Sequence, residues 1–147
     1  MKNFSELLAT DTFVTVTVTI EPIVFNGDPT AWVIINGRKL YHNRLSFAMS
    51  ISVEVPVLDP IEIEIGMSDK IYNQHLETAL VIQSVCIDNF EIVPNYTHLA
   101  RYQNERNVDA PTSYLGFNGV WILSTDDPFY RWHHRVTGQG WLLEPNA

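Results

Sequence analysis

The chain has 147 residues, 46% of them hydrophobic, which suffices for one compact domain because a chain of about 150 residues buries roughly 70% of its unfolded surface. A formal net charge of −8 repels phosphate backbones and anionic lipids, so we expect neither nucleic acid nor a membrane as partner. The single cysteine, Cys86, excludes an intrachain disulfide framework and a cysteine-based zinc site. We therefore expect one domain over 1–147, with 1–11 as an N-terminal arm.

Alternating residues predict β-strands from the beginning of this domain. Residues 12–20 place three valines and an isoleucine on one face and mainly threonines on the other, the pattern of a half-buried antiparallel strand. The dipeptide Asn36-Gly37 tolerates the positive φ angles of a type I′ turn. It predicts a two-residue hairpin in which Trp32 lies opposite Tyr41.

A long alternation over 45–57 predicts a strand that turns Phe47 and every second residue after it toward the core. Pro56, on the opposite side, indicates that the end of this strand lies at a sheet edge or a bend, since proline cannot donate to a ladder. Later strands are predicted over 61–67, 80–87 and 90–93.

The stretch 95–113 is polar and aperiodic, and we expect it to be a long surface connection. A second hairpin is predicted at Asn118-Gly119, again from the preference of this dipeptide for two-residue turns. In that hairpin Trp121 would lie across from Gly116, where an aromatic ring can cover the exposed backbone of a strand glycine.

The C-terminal part changes character. Asp127 is the predicted N-cap of a short helix, with Pro128 in the first helical position and Gly138 at its end. Four residues recur at helical spacing: Phe129, Trp132, His133 and Val136. Seven or eight strands joined by turns, followed by this helix, predict a mainly β protein: a single antiparallel β-sandwich of jelly-roll or Greek-key type with a short C-terminal helix.

The segment 129–135 is the densest aromatic and basic stretch of the chain. Trp, Tyr and Arg are the residue types enriched at interface hot spots. One interpretation is a partner-binding surface, whose candidate residues are Tyr130, Arg131, Trp132, Arg135 and Trp141. The other, which the helical spacing favours, is that Phe129, Trp132 and Val136 dock on the sheet and belong to the core.

Asp126 and Asp127 are candidate metal ligands. With a loop oxygen from Asp28, Asp59 or Asp88 they would suit calcium, a hard cation that accepts mixed oxygen ligands. The alternative is that Asp127 caps the helix and Asp126 is solvated. The absence of an acidic series at EF-hand spacing favours this alternative.

Catalytic motifs are missing from the sequence, which has no nucleophile elbow and no phosphate-binding glycine loop. Glu62 and Glu64 could form the acid–base pair of a glycosidase, but simple strand alternation explains their spacing. The neighbours His133 and His134 point to different sides of a helix or strand, so they cannot easily share a metal ion. We expect a protein without enzymatic activity and without a cofactor. The alternative to the absence of a cofactor is a bound calcium ion.

Residues 85–94 resemble the late strand of many carbohydrate-binding-module-like jelly rolls, in which an isoleucine-aspartate pair precedes an alternating apolar strand. With 61–70 before it, and 119–121 and 138–145 after it, the order of segments resembles that of small structural proteins of tailed bacteriophages. The phage resemblance implies a virion component used for decoration, as a fibre, or for baseplate or tail attachment. The module resemblance implies contact with sugars.

The main hypothesis is therefore a non-enzymatic structural protein of a phage virion. It would be made in the host cytoplasm without a signal peptide and would dock on other virion proteins. The alternative is a glycan-binding module, either dependent on calcium or not, that holds sugar on Trp121, Tyr114 or Tyr130 and orients it with aspartates. The sequence does not count subunits, so a homo-oligomer remains open.

Overall fold

The computed structural model describes residues 12–25, 27–70, 72, 75–107 and 111–138. Ten strands, one turn of 3-10 helix at Thr97–Leu99 and one α-helix are seen there. The strands are β1 Phe13–Val24, β2 Thr30–Ile35, β3 Arg38–Arg44, β4 Met49–Pro56, β5 Pro60–Ser68, β6 Thr78–Ile87, β7 Phe90–Val93, β8 Arg101–Asn104, β9 Tyr114–Leu115 and β10 Gly119–Pro128, and the helix, α1, is Phe129–Thr137. The predicted arm over 1–11 and Trp141 lie outside the described residues.

The strands form two antiparallel sheets that face each other. The first sheet has the order β4-β1-β6-β7, with β9 paired to β6, and the second has the order β3-β2-β5-β10-β8. Val16 and Ile87 of the first sheet and Ile63 and Leu123 of the second are fully buried between them, because alternation turns every second side chain inward. The mainly β sandwich with a short C-terminal helix is thus confirmed.

The first predicted hairpin is present, with a shifted register. Asn36 and Gly37 have φ angles of 50° and 78°, as a type I′ turn requires. An irregularity between Val33 and the next residue places Trp32 opposite His42, and Val33 opposite Tyr41. The predicted pairing of Trp32 with Tyr41 is therefore wrong by one residue, because a bulge cannot be read from alternation alone.

Strand β4 is shorter than the alternation over 45–57 indicates. It lies at the edge of the first sheet and ends at the exposed Pro56, which confirms the expectation for that proline. Phe47 precedes the strand and is 82% exposed, so its predicted inward orientation is wrong. The β3–β4 connection leaves the sheet at this point, and alternation no longer determines the direction of the side chain.

The predicted surface connection over 95–113 contains β8, which pairs with β10. Tyr102 in β8 is buried opposite Trp121, and its hydroxyl donates to the carbonyl of Phe117. A four-residue strand with one inward side chain has too few positions for a recognisable alternation. This is why a strand stands where the sequence indicates only a loop.

The second predicted hairpin, at Asn118-Gly119, is absent. Strand β9 pairs with β6, whereas β10 pairs with β5 and β8, so the two strands belong to different sheets. Gly119 is required for another reason: a Cβ there would lie 2.3 Å from the carbonyl oxygen of Gln103. Trp121 lies opposite Ile65 and Tyr102 and does not cover Gly116.

Helix α1 ends as predicted but begins differently. Gly138 has a φ of 73° and donates its N–H to the carbonyl of His134, the usual left-handed end of a helix. The N-cap is Pro128, which has no side-chain cap, so the prediction for Asp127 is wrong. Strand β10 extends to Pro128, and the Asp127 carboxylate accepts a hydrogen bond from Arg135 at 2.6 Å. No helix within the described part of the chain is long and apolar enough to cross a membrane.

Candidate functional site

The aromatic residues of α1 are largely part of the core. Tyr130 is 3% exposed and Trp132 is 5% exposed, and the Trp132 ring lies edge-on to Phe90 with centroids 6.1 Å apart. Arg131 is exposed, and Arg135 is engaged with Asp127. The structure does not gather these side chains into one exposed surface, which corrects the expectation for Tyr130 and Trp132. Helical spacing places Trp132 on the same side as the buried Phe129, and Tyr130 is buried although it does not belong to that pattern.

The candidate calcium ligands are brought together only in part, since Asp59 and Asp126 line one groove and the others lie elsewhere. Asp127 is paired with Arg135, Asp88 accepts the N–H of Thr15, and Asp126 accepts the hydroxyl of Ser124 at 3.0 Å. Among the residues that the structure describes, no three His, Cys, Asp or Glu side chains form a group that could hold a metal ion. The donor set therefore does not fit a metal site at Asp126 and Asp127.

The outer face of the second sheet carries the arrangement best suited to binding a ligand. Strand β2 buries Ala31, Val33 and Ile35, so the residues between them point outward, and Trp32 is one of these. We call Trp32, His42, Glu64 and Gly66 the Trp32 platform. All four lie on this face, because Trp32 is paired with His42 on β3 and with Gly66 on β5.

Three contacts fix the Trp32 ring on this face. Its Nε1 donates to Oε2 of Glu64 at 3.0 Å, and the His42 ring meets it edge-on at 5.7 Å between centroids. The ring lies directly over Gly66: a Cβ on that glycine would be 2.0 Å from Cε2 and Cζ2. The covered strand glycine is therefore Gly66 under Trp32, and the prediction of Trp121 over Gly116 is wrong. The result is a half-buried, pre-oriented indole.

A separate polar groove of about 580 Å³ lies at the turns between β2 and β3 and between β4 and β5. Glu62 and Ser124 face each other across β5 and β10 and both line it, together with Asn36, Asp59 and Asp126. Asn36 fixes the shape of the groove, because its Oδ1 accepts the N–H of Glu62 at 2.8 Å and its Nδ2 donates to the carbonyl of Pro60 at 3.0 Å. Hydrogen-bonding groups therefore lie in a fixed arrangement at this end of the second sheet.

This face has an acidic centre between two basic edges. Glu62 and Glu64 lie on the central strand, and the described ion pairs, Lys70–Glu77 and Arg135–Asp127, involve neither of them. Lys39 on β3 pairs with Ile34, and Arg101 on β8 pairs with Ile122, which places each cation two strands from β5. A ligand on the platform would meet carboxylates first.

A second cluster of charges joins two connections near β9. Lys70 has a side chain only 5% exposed; it pairs with Glu77 and donates to the carbonyl of Gly116. The hydrogen bond from Lys70 lowers the pKa of Glu77 below its usual 4.5, because it favours the charged carboxylate. Burial and the nearby Glu77 raise the pKa of Tyr114. The cluster holds connections together and is not part of the platform.

Two features of the sequence indicate the Trp32 platform. Trp32 alternates with buried aliphatic residues, so it had to point away from the core, and Gly66 interrupts an otherwise regular strand. An outward tryptophan and an outward glycine on neighbouring strands indicate a ring lying on the sheet. The glycan alternative instead proposed Trp121 and Tyr130, which the structure buries, and Tyr114, which is exposed but lies on the other sheet.

Comparison with known proteins identifies the fold. No family model matches the chain, and no curated protein sequence matches it. Two solved structures of the module vCBM60 are similar. A selenomethionine form, described with two families of calcium-dependent carbohydrate binding modules, has 12% identity and a TM-score of 0.52 over 75% of this chain and 89% of that chain. The complex of vCBM60 with galactobiose has 14% identity and a TM-score of 0.50, and the match covers 75% of this chain and 95% of that chain. The β-sandwich of this chain is thus similar in fold to that of vCBM60.

Proposed function

We propose that this chain is a non-catalytic glycan-binding domain and that sugar binds on the Trp32 platform. The observation that carries the proposal is the indole of Trp32, held over Gly66 on an outer sheet face and hydrogen-bonded to the Glu64 carboxylate. The similarity in fold to modules described as carbohydrate-binding supports the same function. This is the glycan alternative of the sequence analysis, transferred to different residues.

The platform suits a sugar because a pyranose has one apolar face and a rim of hydroxyl groups. The C–H face of a sugar packs on an aromatic ring, where weak C–H···π contacts add to apolar burial. Glu64 uses one acceptor site for Trp32 and keeps others for hydroxyl donors, since a carboxylate offers about four lone-pair sites. Because three contacts fix the ring before binding, little conformational entropy is lost when the sugar arrives.

Calcium has no step in this mechanism. The structurally similar modules are described as calcium-dependent, but the described residues of this chain do not include a donor group suited to a metal ion. We therefore assign the sugar contacts to side chains, and expect binding to survive a chelator. Loss of binding on adding a chelator, restored by calcium, would contradict this assignment.

A glycan array followed by calorimetry with the sugars that bind tests the proposal. Trp32→Ala should abolish binding, because it removes the surface on which the sugar packs. Phe47→Ala is the matched control: it also removes an exposed aromatic ring, but in the β3–β4 connection, and should bind like the parent. Circular dichroism melting shows that both variants fold. Silence of the parent on the array, or equal binding by both variants, would refute the proposal.

The virion role, the virion location and docking on other virion proteins stay predictions that rest on the sequence resemblance. A mass-spectrometric inventory of particles that contain this chain tests them. Copurification with virion proteins would support that role, and it would be compatible with a glycan site on the outer sheet face.

A further inference from the structure

The register of the second sheet orders the groups on its outer face into a track. Trp32 pairs with Gly66, and two residues further along the same strands Ile34 pairs with Glu64. Glu62 follows on β5, opposite Ser124. Residues two apart in a strand are separated by about 6.6 Å, so the track from the row of Trp32 to the row of Glu62 is about 13 Å long, the length of two to three sugar units.

Negative charge accumulates along this track. Glu64 contacts the indole directly, Glu62 lies in the next outward position of β5, and Asp59 and Asp126 line the groove beyond it. Each of these side chains is exposed or half-buried. An indole face and an adjacent carboxylate both attract a cation, the former through its quadrupole and the latter through its charge.

His42 belongs to the platform and its ring meets that of Trp32, whereas the lysine and arginine residues of the second sheet lie on other strands than Glu62 and Glu64. Lys39 and Arg101 are on β3 and β8, two strands from β5, which corresponds to about 9.5 Å at the usual strand spacing. Arg44 faces Thr30 at the far end of β2, and Arg38 lines a neighbouring cavity together with Glu54. At physiological ionic strength the screening length is about 8 Å, so charges on these outer strands are partly screened from the carboxylates of β5.

We propose that the ligand of the Trp32 platform is a glycan bearing protonated amino groups, of the glucosamine oligomer type. This inference rests on the proposed glycan function and adds the class of sugar. Stacking of one unit on Trp32 brings the ammonium groups of that unit and its neighbours over Glu64 and Glu62, where charge-assisted hydrogen bonds form. An uronate or sulfated glycan would meet the same carboxylates with like charge and is disfavoured.

The test compares two trimers that differ in charge but share their backbone: the glucosamine trimer and its fully N-acetylated form. Calorimetry is performed at about pH 5.5, where the amines of the glucosamine trimer are protonated. We expect the glucosamine trimer to bind at least about tenfold more tightly, which corresponds to about 1.4 kcal/mol. Raising the salt to about 0.5 M should shrink the difference, since the attraction is screened.

Glu64→Gln should weaken binding of the glucosamine trimer more than binding of the acetylated trimer, because the amide can still accept a hydrogen bond from Trp32 but carries no charge. Glu91→Gln is the matched control. It removes one exposed carboxylate from β7, in the other sheet, and changes the net charge equally.

The outcomes separate the two proposals. Equal affinity for both trimers, or tighter binding of an oligogalacturonate, would overturn the amino-sugar inference and leave the glycan function standing. An equal loss of preference in Glu91→Gln and Glu64→Gln would also overturn it, because the preference would then follow net charge and not the track. Failure of every glycan, including galactobiose, to bind the parent would overturn both.

Discussion

Replacing Gly66 by alanine should displace the Trp32 ring while leaving the strand beneath it intact. Gly66 is not among the glycines with positive φ, so the backbone itself tolerates alanine. The added Cβ would stand 2.0 Å from two indole carbons, and an ordinary carbon–carbon contact needs about 3.5 Å. The ring must therefore move outward by about 1.5 Å, which breaks the 3.0 Å hydrogen bond to Glu64.

The expected size of the effect follows from these contacts. Loss of the hydrogen bond lowers the free energy of unfolding by about 0.5–1.5 kcal/mol. Alanine in a strand raises it by about 0.5–1 kcal/mol relative to glycine. The melting temperature should thus change by no more than about 4 °C for a chain of this size. Sugar affinity should fall by about tenfold or more, the equivalent of about 1.4 kcal/mol, because the stacking surface is displaced.

A double-mutant cycle with Trp32→Ala isolates the contact. In the Trp32→Ala background, Gly66→Ala should be neutral or stabilising by about 0.5–1 kcal/mol, because no ring remains above the glycine. Urea unfolding gives the four free energies of unfolding. If Gly66→Ala is destabilising to the same extent in both backgrounds, the coupling energy is zero and the ring does not rest on this glycine.

Three further predictions concern the rest of the molecule. Trp132→Ala should lower the free energy of unfolding by about 3–5 kcal/mol because its ring is buried in the core, whereas exposed Arg131→Ala should change it by about 0.5 kcal/mol or less; urea unfolding measures both. The pKa of Glu77 is lower in the folded protein than its usual value of 4.5, so its ionised form stabilises the fold at pH values above 4.5. This stability is lost as the pH falls through the folded-state pKa. Glu77→Gln should remove that component from unfolding midpoints measured along a pH series. Burial raises the pKa of the Cys86 thiol above its usual 9.0, so a thiol reagent should label it slowly at neutral pH and faster as the pH rises.

Each of these predictions has a contrary result. Equal stabilities of the Trp132 and Arg131 variants would mean that the tryptophan is a surface residue and would restore the interface interpretation of α1. An unchanged acid dependence in Glu77→Gln would remove its pairing with Lys70 as a source of stability. Labelling of Cys86 in the native protein as fast as in urea would contradict its partial burial.

Regular alternation made the strands predictable, and contacts across the chain made the site unpredictable. Strands such as β1 and β5 follow from their periodicity, because half-buried sheets select one apolar side. Strand β10 pairs with β8, a strand in which only Tyr102 is buried. No local sequence pattern therefore predicts β8 or this pairing. The platform combines Trp32 and Glu64, 32 residues apart, and their contact requires the register of β2 on β5. The helical spacing of Phe129, Trp132 and Val136 indicated the buried face of α1. The interpretation of this segment as a partner-binding surface did not follow that indication.

Strand β1 pairs with β4 on one side and with β6 on the other, and Val16 is aligned with Ile87 across the second of these ladders. Closing loops of this length costs entropy before any pairing repays it, so such topologies fold slowly. During synthesis the first strand leaves the ribosome long before its last partner, and its apolar side has nothing to cover it until then. The apolar side of β1 is therefore exposed in the nascent chain until the later strands have been made.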